Sequence, residues 1–208
     1  MDPVMQAAEG RAPAAMPSTV SLETFLGELR RISAGVITRQ ELCSLLQRLT
    51  IDPADLRPYE HWLPDRHTRN LIYRNERIEA MLLCWPAGAQ TPPHTHNGQL
   101  GWMAMISGCL EVENFRYVDC NLPENQQVVG LDCLAGATEI TLERISKEIC
   151  VPGGPLNTVD KKQTIHRITN PGDRAVSLHL YSLPIDSCVV FDLDAQTCRR
   201  RDLAFDNE

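Results

Sequence analysis

From Pro64 onward the chain is a succession of short apolar and β-branched stretches, each broken by turn residues before a helical period can develop. The stretches cover residues 71–73, 78–85, 94–96, 101–106, 109–117, 127–131, 138–145, 149–151, 164–169, 175–182, 188–193 and 197–203. Pro86-Ala87-Gly88, Ser107-Gly108, Gly136, Pro152-Gly153-Gly154-Pro155 and Asn170-Pro171-Gly172-Asp173 punctuate them, at intervals typical of a sandwich or barrel. Parallel strands need long crossovers, usually helices, and none intervenes here. About ten or more such segments therefore predict an all-β core, a double-sheet jelly roll, over residues 64–208. A chain of 208 residues can bury one such core and carry a small appendage.

The appendage is a helical preface. Residues 1–17 are rich in Ala, Pro, Met and Gly without periodicity and are expected to form a disordered tail. From Ser18, the positions Val20, Leu22, Phe25, Leu26, Leu29 and Ile32 follow helical spacing to a stop near Gly35. Thr38 and Glu41 form a capping box that opens a second helix, whose Leu42, Leu45, Leu46 and Leu49 share one face. Asp52 or Asp55 can cap a short turn that Pro53 and Pro58 keep brief. Residues 18–63 are thus expected as helices packed on the outside of the barrel.

A formal net charge of −7 and a pI near 5.4 give no nucleic-acid footprint. Lys161-Lys162 and Arg199-Arg200-Arg201 are short, acid-flanked runs of the kind found on solvated surfaces. No apolar run reaches membrane-span length, so no membrane partner is expected. Eight cysteines, at 43, 84, 109, 120, 133, 150, 188 and 198, form no CxxC pair. Residues 1–6 lack both a basic n-region and an apolar h-region. Free thiols in a reducing cytoplasmic setting are expected, in a monomer or weak homo-oligomer.

The chemistry starts at His94-Thr95-His96. In a strand, residues at i and i+2 share a face, so both imidazoles can reach one metal ion. Pro92-Pro93 denies backbone donors just ahead, which suggests that the strand begins at the histidines. His61, His67, His166 and His179 are the candidates for a third ligand; His166 follows the glycine-rich loop at 152–155, on a late strand. Imidazole ligation suits Fe, Zn, Cu or Ni alike. Ser177, His179 and Tyr181 also alternate on one face, where a histidine between a hydroxyl and a phenol would orient the phenol. Arg69, if it points into a pocket, can grip a carboxylate through two parallel hydrogen bonds.

Several motifs together resemble the type I cysteine dioxygenases, from about residue 66 to 203. They are Thr68-Arg69-Asn70-Leu71, Cys84-Trp85, His94-Thr95-His96, Ile165-His166-Arg167, Ser177-Leu178-His179-Leu180-Tyr181-Ser182 and the stretch from Ile185-Asp186-Ser187-Cys188 to Phe191-Asp192. The resemblance implies a cupin fold, the double-stranded β-helix. It implies one Fe(2+) per chain on His94, His96 and His166, and conversion of L-cysteine and O2 to cysteine sulfinic acid. Arg69 would hold the substrate carboxylate, Ser177, His179 and Tyr181 would form the relay, and His67 and Cys188 would border the substrate.

The usual cupin motif has a glutamate four or five residues after its second histidine, where this chain has Leu100 and Gly101. Three neutral imidazoles leave the full +2 on the metal, which favours an anionic ligand such as a thiolate. Animal relatives carry near the second histidine a cysteine that is thioether-linked to the tyrosine; Gly101 implies an uncrosslinked Tyr181, as in a bacterial form. His67 stands where they have a tyrosine. Relatives acting on 3-mercaptopropionate carry Gln at the position of Arg69, so arginine favours an amino-acid thiol. The rival readings are a dioxygenase of 3-mercaptopropionate or another small thiol, a non-catalytic metal-binding cupin sensor, and a zinc or nickel isomerase.

Overall fold

The computed structural model describes residues 17–127, 137–159 and 164–208. Residues 1–16 of the expected tail, residues 128–131 of an expected strand, Cys133, Gly136 and Lys161-Lys162 lie outside the described residues.

The elements are β1 (Ser18–Val20), α1 (Leu22–Ala34), α2 (Arg39–Arg48), β2 (Leu49–Ile51), α3 (Pro53–Leu56), β3 (Thr68–Arg74), β4 (Ile78–Pro86), β5 (Leu100–Ser107), β6 (Leu110–Asp119), β7 (Thr141–Cys150), β8 (Asn157–Val159), β9 (Ile165–Thr169), β10 (Arg174–Ser182), β11 (Ser187–Asp192) and β12 (Thr197–Asp202). One wall is a sheet in the order β3-β4-β10-β5-β8, antiparallel throughout. The other contains β7-β6-β9 and the hairpin β11-β12. The irregular segment 89–95 lies between these pieces. On one side Thr91 N donates to Ile168 O (2.9 Å), and His94 and His166 exchange backbone bonds of 2.9 and 3.1 Å; on the other Thr95 N donates to Val189 O and Phe191 N to Pro93 O, both at 2.9 Å. Two facing antiparallel walls joined in this way make the double-stranded β-helix of the cupin type.

β4 explains both faces of the first wall. Its apolar run is continuous because both sides are buried, and period-2 alternation divides the side chains between two cores. Ile78, Ala80, Leu82 and Cys84 meet the helices, packing with Phe25, Leu29, Leu42, Leu45 and, from β10, Val176, Leu178 and Leu180. Met81, Leu83 and Trp85 face inward and meet Leu110, Val112 and Ile168 of the opposite wall. Leu29, Leu42 and Leu45 are wholly buried, and each such side chain contributes about 1.5–3 kcal/mol through the area it removes from water.

The capping box of α2 forms: Thr38 Oγ1 accepts from Glu41 N, and the Glu41 carboxylate accepts from Thr38 N. Asp52 caps α3 by accepting from Ala54 N, while Asp55 accepts from Leu22 N and so ties α3 to the start of α1. Three local expectations are corrected. Residues 18–20 are not helical, because they pair in parallel with Leu49–Ile51; Ser21 then caps α1. Residues 138–145 and 149–151 are not two strands: one strand, Thr141–Cys150, runs through Ser146-Lys147-Glu148, which are polar but contain no turn residue. Residues 94–96 are not a regular strand, since only His94 forms a bridge, and Asn97 (φ 52°) with Gly98 (φ 80°) turns the chain immediately afterwards. The short β8 was not legible as a strand at all.

The cysteines at 43, 84, 109, 120, 150, 188 and 198 are free thiols. Among the described residues, no helix is long and apolar enough to cross a membrane.

Candidate metal centre and its pocket

His94, His96 and His166 converge although no regular strand carries the first two. The backbone bridge between His94 and His166 sets two of the rings side by side, and the turn at Asn97-Gly98 follows the third. One ring nitrogen from each residue lies within 4.8 Å of the others, and ring centroids are 4.6–5.1 Å apart. Nδ1 of His94 lies 3.0 Å from Pro92 O, a group that only accepts, so Nδ1 carries the proton and Nε2 keeps a free lone pair. Burial pushes His94 down to about 4 and holds His96 and His166 well below the ordinary imidazole value, so all three rings are neutral near pH 7.

Metal binding requires such neutral donors. Nδ1 of His96 and Nδ1 of His166 are also buried without a hydrogen-bond partner, an arrangement that costs about 1–3 kcal/mol per group in a plain protein interior. Three crowded, neutral, incompletely satisfied imidazoles fit a divalent transition metal, and among the described residues the group includes no carboxylate. Of the other histidines considered, His61 is exposed, and His67 and His179 line the same cavity without joining the cluster.

That cavity, about 430 Å³, is bordered by the three histidines together with His67, Arg69, His179, Tyr181 and Cys188. Ser177 stands behind it. Trp85 Nε1 donates to Ser177 Oγ (2.9 Å), Ser177 Oγ is 2.9 Å from His179 Nε2, and His179 Nδ1 is 3.4 Å from Tyr181 Oη. The donor inventory gives this chain a direction. The indole can only donate, so the serine proton points to His179 Nε2. Burial lowers His179 to about 3, so the ring is neutral and its proton sits on Nδ1, facing Tyr181 Oη. The phenol hydrogen is then free to point into the cavity. Burial also raises the Tyr181 phenol above its ordinary value, which keeps that hydrogen in place.

Gly101 of β5 is the register partner of Tyr181. A Cβ at this position would lie 2.8 Å from Tyr181 Cε1 and 2.5 Å from Val159 Cγ2, so any side chain would press on the phenol ring. With glycine there, no thioether to Tyr181 is expected. Mass spectrometry of the denatured protein should return the unmodified sequence mass, and a peptide joining Tyr181 to a cysteine, two hydrogens lighter, would contradict this.

His67 stacks on Trp85 with ring centroids 4.6 Å apart; burial lowers it to about 4, and its Nδ1 lacks a hydrogen-bond partner. Cys188 is buried and its thiol is raised by burial. Arg69 extends from β3 with Nη1 3.3 Å from Ala204 O and its guanidinium over the Phe205 ring at 5.1 Å. The C-terminal segment holds this strand in place: Arg69 N donates to Asp206 Oδ2, Asp206 N donates to Arg69 O, both at 2.8 Å, and Arg66 pairs with the same carboxylate.

Sequence reasoning missed four participants: the Trp85 indole bond, Glu79, Arg201 at the cavity wall, and the Arg66–Asp206 pair. Only Glu79 left a signal, as a charge within an otherwise apolar run that has both faces buried.

The chain matches the family described as Cysteine dioxygenase type I over residues 11–194. It is 27% identical to human cysteine dioxygenase type 1 over 176 residues, covering 83% of this chain and 79% of that protein. The mouse and zebrafish enzymes of the same name match over the same spans at 28% and 26% identity. Among solved structures, a cupin-superfamily sugar phosphate isomerase from Silicibacter pomeroyi aligns with a TM-score of 0.41 at 13% identity, over 71% of this chain and 90% of that one. A match that spans most of the chain, with relatives of the same kind at this coverage, settles the family: the chain belongs to the type I cysteine dioxygenases and is a thiol dioxygenase.

Proposed function

We propose that the chain converts L-cysteine and dioxygen to cysteine sulfinic acid with Fe(2+) held by His94, His96 and His166. The observation that carries this reading is that one cavity contains both the three neutral imidazoles and the Arg69 guanidinium. When bound, the iron supplies the Lewis acidity that deprotonates a ligated thiol and the redox chemistry that activates dioxygen. The imidazoles add no negative charge, so the site attracts a thiolate more strongly than one containing a carboxylate would.

Arg69 offers a planar fork to the substrate carboxylate and so orients the sulfur toward the histidines. Neutral His67, with an unpartnered Nδ1, provides a polar contact for the amine end. Tyr181, aligned through His179 and Ser177, would donate a hydrogen bond to the reacting end while keeping its proton, since thiolate plus dioxygen gives sulfinate with no net proton transfer. Cys188, Leu83 and Trp85 make that wall poor in competing polar groups.

An oxygen electrode with iron-loaded protein and a panel of small thiols tests the proposal. Uptake should be fastest with L-cysteine. Faster turnover of 3-mercaptopropionate would overturn the substrate, and no uptake with any thiol would favour a metal-binding protein without this activity.

A further inference from the structure

Glu79 is completely buried at the inward-facing end of β4, on the same face as Met81, Leu83 and Trp85. Its carboxylate lies 3.5 Å from Arg69 Nη2 and 3.1 Å from Arg74 Nη1, neither aligned as a hydrogen bond, and the backbone amide of Ile185 also faces it. Arg74 is separately held by Asp186 at 2.6 Å, with Asp186 on the exposed loop after β10. Arg69 borders the cavity and, among the described residues, pairs with no acid other than Glu79. The charged and titratable groups facing Glu79 are thus Arg69 and Arg74 from β3, Tyr181 opposite it on β10 and Asp186 from the loop; Phe205 of the C-terminal segment covers both guanidinium groups.

We infer that Glu79 is a positioning residue that competes with the substrate carboxylate for the Arg69 guanidinium, so that binding of L-cysteine is accompanied by uptake of a solvent proton on Glu79. This rests on the reading that Arg69 holds the substrate carboxylate. Two buried carboxylates sharing one guanidinium repel each other, and protonating one of them relieves the conflict. Glu79 is the one poised to accept, because burial outweighs the two arginines and raises it to about 7. At lower pH Glu79 is neutral and the fork is released to the substrate. At higher pH Glu79 is anionic and draws Arg69 back. The device sets substrate affinity by pH without touching the metal-binding histidines.

The test compares KM for L-cysteine in iron-loaded wild type and Glu79→Gln from pH 6 to 8.5. Relative to the variant, the wild-type KM should rise roughly three- to tenfold as pH passes 7, with the effect on KM exceeding that on kcat. Glu79→Asp, which keeps a carboxylate but has a lower intrinsic pKa, should keep the rise and move it to lower pH; that displacement is the readout if the glutamine variant does not fold, and a rise left at the wild-type pH would overturn the proposal. Inhibition by cysteamine, which has no carboxylate, should be equal in wild type and Glu79→Gln. Parallel KM profiles, or an equal shift for cysteamine, would overturn the role of Glu79. An unchanged KM in Arg69→Gln would instead overturn the underlying reading of Arg69, and the two failures are distinguishable.

Discussion

Replacing His166 by alanine should leave the purified protein with almost no bound iron and should cut dioxygen uptake with L-cysteine at least about a thousandfold. Metal assistance is worth several kcal/mol in a reaction of this kind, and each 1.4 kcal/mol is about tenfold in rate. The fold should survive, because the link between His94 and His166 consists of two backbone bonds that do not involve the imidazole, and Nδ1 of His166 has no hydrogen-bond partner to lose. Metal analysis, the melting temperature and the oxygen electrode together check the prediction. Iron near one per chain, or activity within tenfold of wild type, would show that His166 is not a ligand.

Arg69→Gln should raise KM for L-cysteine roughly 30- to 150-fold and leave the iron content unchanged. The Arg69 side chain is only 12% exposed, so its charge-assisted bonds to a carboxylate are poorly screened, and their loss costs about 2–3 kcal/mol. Glutamine keeps a single donor group but neither the charge nor the second arm of the fork. Steady-state kinetics would decide it. A KM within about threefold of wild type would mean that the carboxylate is held elsewhere, with Arg201 the next residue to examine.

Much of the architecture was legible because turn residues punctuate the chain at nearly every strand end, and because the capping box of α2 is a local signal. The Ser177-His179-Tyr181 face needed only period-2 alternation, which β10 obeys. Other features depend on partners distant in sequence. Segment 89–95 works as a strand through bonds to residues 165–170 and 189–191, although two prolines and a left-handed turn mask it locally. The parallel pairing of residues 18–20 with 49–51 is equally invisible to a local reading. Four histidines competed for the third place in the cluster, and spacing alone did not decide among them; the backbone bridge between His94 and His166 is what brings His166 beside the other two. The Trp85–Ser177 bond crosses between adjacent strands and leaves no trace in either segment.

With L-cysteine as substrate, this cavity should deliver both atoms of dioxygen to the sulfur. Iron-loaded protein should therefore be allowed to turn over L-cysteine under 18O2, and the product should be analysed by mass spectrometry. The expected result is cysteine sulfinic acid carrying two labelled oxygens. Product with one label or none, or cystine formed alongside hydrogen peroxide, would contradict it.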